Sequence, residues 1–401
     1  MSQDGKAGAP LSDITVLDFG QVFQGPYASF LLAQAGANVI KIEPPNGEPL
    51  RHRAPPGVPV TLPFAMLNAN KRAITLNLKA AEGRELLFEL VRRADVLLEN
   101  FAPGTMDDLG VGWDAVHDVN PRLIYATGTG FGITGPDRDT LAMDLTVQAA
   151  SGIMSMTGYP DAPPVRAGVT LVDFMGGIHL YAAILTAIHD RARTGKGQRV
   201  EIAMQEAVYF TLSSGLDFYN RTGKTPQRTG NQQSANSVSP YNVYKAKDGY
   251  VAIHTVSEQH WRNILAAAGR EDVKDDPRFR TNYDRCQNSK EVDAIVGAWL
   301  AAITKAEAVA ASKTFRFPLA PVRDIPEVMH DPHMHARGAL HWVDHPQLGR
   351  VVLPSSPLRL HGAVPVERKP SPRLGEHTDE ILAWLGKDAA TVERLRRDKV
   401  V

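Results

Sequence analysis

The chain has 401 residues, room for about two domains, and its 43% hydrophobic and 22% charged residues are those of an ordinary globular protein. Lys+Arg and Asp+Glu are both 44, so the formal net charge is zero. That balance excludes a general electrostatic footprint for nucleic acid or an anionic membrane.

The first 200 residues alternate short apolar runs with helical patterns. Ile14–Phe19 reads as a buried strand, Gly25-Pro26 opens a helix through Gln34, and Ala37–Glu43 is the next strand. Ala73–Leu78 is a third strand, followed by a helix over about 80–93. Two more strands follow at Asp95–Asn100 and Leu123–Thr127. Repeated strand–helix–strand order predicts a parallel sheet flanked by helices, an α/β fold. A long helix is predicted over 173–193, closed by Gly195, with a strand at Arg199–Met204 and a helix from Gln205. The polar stretch Arg221–Ser239 reads as a linker or mobile loop. Beyond it come a strand at Tyr250–His254 and helices near 258–268, 290–303 and 305–314. Strands near 340–343 and 350–353 and helices over 377–386 and 389–398 end the chain.

The opening residues, Met1–Asp13, hold no apolar core of a secretory signal. The apolar run Phe174–Ile188 falls short of the ~20 residues of a membrane span. The single cysteine, Cys286, reads as an incidental thiol, and with these features predicts a soluble, cytoplasmic protein.

Three candidate chemistries fail on context. Gly130-Phe-Gly132-Ile-Thr-Gly135 is a literal G-x-G-x-x-G, but Pro136-Asp-Arg-Asp139 follows where a dinucleotide fold needs a helix to begin. His333 and His335 stand two apart with no further ligand in view, so a surface loop is expected and no metal site. Neither a G-x-S-x-G elbow nor the full G-x-x-x-x-G-K-[ST] phosphate loop occurs.

Asp173 is the candidate that remains. It stands in Thr170-Leu-Val-Asp-Phe-Met-Gly-Gly177 at the start of the long helix. The plain structural reading is an N-cap. The functional reading is a carboxylate kept ionised by the helix's positive end, with Gly176 and Gly177 admitting a bulky ligand, as covalent catalysis by Asp requires.

At these residues the chain resembles the class III CoA-transferase family, which includes formyl-CoA and carnitine CoA-transferases. The resemblance runs from about residue 11 to 401. It is carried by Val16-Leu-Asp-Phe19, Gly36–Glu43, Asn70–Lys79, Glu99–Gly104, Asn120–Ile124, Asp173 with Gly177, Arg193–Gln198, Met204–Ala207, Pro318–Val322 and Leu374–Asp379. It implies a Rossmann-like large domain from both chain ends, 1–200 and 330–401, with linkers at 201–224 and 326–329. A smaller α+β domain, 225–325, is inserted between them. It also implies an interlocked homodimer. The implied activity moves CoA from an acyl-CoA to a carboxylic acid through an anhydride and then a thioester on Asp173.

The same resemblance places coenzyme A, a substrate and not a resident cofactor, against Val22, Phe23, Gln24, Leu76, Lys79, Asn100, Phe101 and Met143. Lys79 is its expected phosphate partner. Some relatives carry basic residues at the positions of Pro44 and Asp108, so Arg51, Arg72 or another nearby cation is expected to help. The long glycine run of formyl-CoA transferases is missing from Arg228–Asn236, so oxalate as acceptor is not supported. The alternatives are a 2-methylacyl-CoA racemase and a non-catalytic CoA-binding relative. Racemisation needs two acid/base groups, and Met143 stands where the racemases have histidine.

Overall fold

The computed structural model describes residues 8–233 and 236–401. The segment read for a secretory signal lies in its first seven residues outside this range. The chain folds as two compact units. One comprises the residues up to Val147, Val169–Tyr209 and Asp331–Val401; the other comprises Gln148–Gly168 and Phe210–His330.

The first unit is built on six parallel strands: β1 (Thr15–Asp18), β2 (Asn38–Glu43), β3 (Arg72–Thr75), β4 (Val96–Glu99), β5 (Ile124–Thr129) and β6 (Arg199–Ala203). Their order is β3-β2-β1-β4-β5-β6. Alternate side chains of a strand point to opposite faces, and here both faces are dry. Leu17, Ile40, Ile74, Leu97 and Tyr125 pack on one side with Leu86, Leu87 and Leu90 and with Ile381, Leu382 and Leu395 from the chain end. Val16, Val39, Val96, Leu98, Ile124 and Ala126 pack on the other, with Ala28, Leu32, Leu180 and Ile184. Burial on both faces is why these strands read as near-continuous apolar runs. The order reverses between β1 and β4. Ligands of open parallel sheets bind beyond the carboxyl ends of the strands at such a reversal.

The other unit holds the antiparallel sheet β7-β8-β9 (Tyr241–Ala246, Gly249–His254, Leu319–Pro321). Tyr244, Val251 and Ile253 pack there with Trp261, Ile264 and Leu265 and with Val292, Val296 and Leu300.

Several local expectations are corrected. The helix expected from Gln205 is present as Met204–Tyr209, but the segments expected as linkers hold more: Ser213–Thr222 is a further helix, and 326–329 lies in the helix Ile325–Met329, which Asp324 caps. The stretch read as a mobile loop is fastened, because Arg228 donates to the carbonyls of Tyr159 and Ala162 and Gln232 donates to Asp293. Ser234 and Ala235 of that stretch lie outside the described residues. His333 and His335 sit in a one-turn helix, Pro332–Ala336, where Asp331 accepts the His333 N–H. The long apolar helix spans Leu171–Thr194, 24 residues, long and apolar enough to cross a membrane, unlike the shorter run expected. Leu180, Ile184 and Ala187 of that helix pack in the sheet's core. Cys286 is buried, which pushes its thiol up.

Candidate functional site

Two loops meet at the reversal of the sheet. Gly20–Phe23 leaves β1 and Asn100–Phe101 leaves β4. Asn100 stitches them together: its Oδ1 accepts the Gln21 N–H at 2.7 Å and its Nδ2 donates to the Gln21 carbonyl at 3.0 Å. Glu99 fixes the second loop by accepting the Phe101 N–H at 2.8 Å. Burial pushes the Glu99 carboxyl up to about 7.

The first loop carries strain. Val22 has φ +63°, a region that β-branched residues avoid. Glu48 holds it there, accepting the N–H groups of Val22 and Leu50 through Oε2. Beneath lies a buried ion pair, Lys71 Nζ to Asp18 Oδ2 at 2.8 Å, with Ser29 and Asn68 as further partners of the lysine. Burial alone would raise the Asp18 carboxyl, but Lys71 and Lys41 outweigh it and hold it below its ordinary value. Lys41 also donates to the Gly20 carbonyl at 2.9 Å. Fully partnered buried charges pin one geometry, because any shift leaves a charge unpaired.

A cavity of about 560 Å³ opens above these loops. Val22, Gln24, Asn100, Phe101, Met143 and Asp173 line it, so six of the predicted residues converge. A second cavity, of about 390 Å³, is lined by Leu76, Lys79 and Phe101. Gln21 and Phe101 belong to both walls, so the two spaces adjoin. Volumes of this size suit a small organic ligand. Phe23 lines neither space. It packs beside Leu50, Val60 and Phe64 and lies 5.9 Å from the Phe174 ring.

Asp173 differs from its sequence reading. The helix begins at Leu171 with Thr170 preceding it, so Asp173 sits in the first turn and is not the cap. The helix's free amides go to Asp144, whose Oδ2 accepts the N–H of Val172 at 2.7 Å and of Asp173 at 3.2 Å. The positive helix end therefore serves Asp144. Burial, then repulsion from Asp144, against a smaller pull from Arg53, pushes the Asp173 carboxyl up to about 7. The helix end expected to keep Asp173 ionised is instead occupied by the Asp144 carboxylate.

The cations expected to help Lys79 are also engaged elsewhere. Arg51 makes a bidentate pair with Glu43 at 2.7 and 2.8 Å. Arg72 donates to Asn38 and Glu380. Among the described residues lining the smaller cavity, exposed Lys79 is the one cation. Gln21, Glu48 and Asp144 were missed by the sequence reading. A spacing signal existed only for Asp144, which immediately follows Met143.

A sheet reversal with a large cleft, a protonatable aspartate and a lone exposed lysine fits a ligand with an acyl end and a phosphate end. Residues 11–378 match the model of CoA-transferase family III.

The chain belongs to CoA-transferase family III.

This class III CoA-transferase is 37% identical to a formyl-CoA:oxalate CoA-transferase of Streptomyces avermitilis, over 96% of this chain and 97% of that one. It is 35% identical to a succinyl-CoA–D-citramalate CoA-transferase of Chloroflexus aurantiacus, over 94% of each chain. Its fold is similar to that of a solved CAIB/BAIF family protein from Brucella suis, at TM-score 0.85 and 32% identity. That likeness covers 95% of this chain and all of the other. Acyl-CoA thioesters and carboxylic acids are the substrates of such a transferase.

Proposed function

We propose that this CoA-transferase works through covalent catalysis by Asp173, with coenzyme A lying across the two adjoining cavities. The carrying observation is a carboxylate near neutral pKa in the wall of the larger space. A desolvated carboxylate of raised basicity is a stronger nucleophile than a free one, yet is ionised above about pH 7.

One Asp173 oxygen attacks the thioester carbon, the C–S bond breaks, and CoA leaves as thiolate from a mixed anhydride. The thiolate attacks the Asp173 carbonyl carbon, giving an aspartyl thioester and freeing the donor acid. The acceptor carboxylate then attacks that thioester and expels the thiolate. Attack of the thiolate on the acceptor's carbonyl releases the new acyl-CoA and restores Asp173. Exclusion of water by the bound substrate slows hydrolysis of all three covalent intermediates, the two anhydrides and the thioester.

Val22, Gln24, Asn100, Phe101 and Met143 hold the acyl and pantetheine end in this proposal, and Leu76 and Lys79 the nucleotide end. Phe23 acts indirectly, by packing. Met143 carries no exchangeable proton, which speaks against the racemase alternative. The resemblance supports an interlocked homodimer, and exposed apolar side chains such as Phe210, 83% accessible, and Val169, 66%, are suited to being covered by a second copy. A cytoplasmic location is inferred from the lone thiol.

The test is CoA exchange between an acyl-CoA and a carboxylic acid, measured for wild type and Asp173→Ala. The expected result is loss of exchange in the variant; retained exchange overturns the mechanism.

A further inference from the structure

Gln24 is the first residue of α1 (Gln24–Gln34) and is 2% exposed, in the wall of the Asp173 cavity. Its Nε2 is buried without a hydrogen-bond partner. A buried donor left unpaired costs about 1–3 kcal/mol, and such a group in a native structure calls for a reason. Two glycines leave it room. A Cβ on Gly128 would stand 2.9 Å from Gln24 Oε1, and one on Gly176 would stand 2.8 Å from Gln24 Nε2. Gly176 follows Asp173 by three residues on one helix, and residues at that spacing are neighbours on a face. The unpaired amide thus packs against the helix that carries Asp173, three residues beyond it, and both residues line the same cavity. No side chain caps α1 and no acidic residue stands in its first turn.

We propose that Gln24 Nε2 is a catalytic oxyanion donor, whose ligand is the thioester carbonyl oxygen. The proposal deepens the reading of Asp173 as nucleophile and rests on it. As an Asp173 oxygen bonds to the carbonyl carbon, the C=O π pair moves onto oxygen, where the Gln24 N–H donates to it. Collapse restores the C=O bond and sends the C–S pair onto sulfur, releasing CoA thiolate. The donor is unpaired in the free enzyme, so it loses no earlier hydrogen bond when the charge develops.

The experiment compares kcat, KM and thermal melting for Gln24→Met, which keeps the side-chain volume, and Gln24→Glu, which keeps its length without an N–H. Both variants should lose about 100-fold or more in kcat, with KM for the acyl-CoA within about threefold of wild type. Their melting should match or exceed wild type for Met, because an unsatisfied donor is gone. A packing role would be rescued by Met, so a Gln24→Met enzyme with kcat within about threefold of wild type overturns the proposal. Asp173→Ala is assayed in parallel. If it is dead while Gln24→Met is active, only the oxyanion assignment fails; if Asp173→Ala still turns over, the nucleophile reading fails and this proposal with it.

Discussion

Asp144 Oδ2 accepts the backbone N–H of Asp173 at 3.2 Å, so two carboxylates share the first turn of one helix. The helix's donors hold the first and leave the second to burial and repulsion. Asp144 thereby tunes the group that carries the acyl chain in the proposed mechanism.

A pH profile follows from this. Asp173 must be ionised to attack, and its carboxyl is pushed up to about 7. The expected kcat/KM is flat above that pH and falls about tenfold per pH unit below it. Asp144→Asn keeps an oxygen for the two amides and removes the like charge, so its profile should break at lower pH than wild type. Parallel pH–rate curves check both statements; an unmoved break in the variant contradicts the assigned cause.

Glu99 gives a stability prediction with a definite sign. Its folded carboxyl is raised to about 7 from an ordinary 4.5, first by burial. The folded state therefore binds its proton more tightly, and stability is lost as pH rises from about 5 through 7. Glu99→Gln, which still offers an oxygen to Phe101 N–H, should be more stable than wild type at pH 8 by on the order of 2–3 kcal/mol. The advantage should shrink toward zero at pH 5, as read by denaturant melts at both values.

The buried pair under the loop makes the opposite case. Lys71→Met strands Asp18 as an unpaired charge and should cost about 3–5 kcal/mol. Adding Asp18→Asn to that variant should recover part of the loss. Chemical denaturation of the two variants tests it, and additive losses would contradict a direct pair.

Among the described residues lining the smaller cavity, Lys79 is the lone cation. Lys79→Ala should raise KM for acyl-CoA about tenfold, since a hydrogen bond to a charged group contributes about 1.5–3 kcal/mol. The kcat should change little. The penalty should be smaller for a dephospho-CoA ester if the contact is to the 3′-phosphate.

The sheet was legible in the sequence because Val16-Leu17, Val39-Ile40 and Val96–Leu98 are buried on both faces, leaving unbroken apolar runs. The short helix Leu62–Leu67 was not, since six residues are too few to show a helical period. Asp173 was legible through its glycine neighbours and the family motif. Its raised carboxyl was not, because burial in the fold comes first and then Asp144, 29 residues away in sequence, repels it. Arg51 looked available in sequence, and only the fold shows Glu43 holding it. Gln24 was named as a contact, yet its unpaired amide depends on Gly128 and Gly176 converging from two other elements. Tertiary partners, invisible to local pattern, decide each of these cases.

The most direct measurement is mass spectrometry of the peptide holding residue 173 after turnover is quenched with hydroxylamine. The account predicts a hydroxamate on the Asp173 side chain, formed only when an active acyl-CoA donor is present. A peptide that stays unmodified with every active donor, while exchange proceeds, would contradict it.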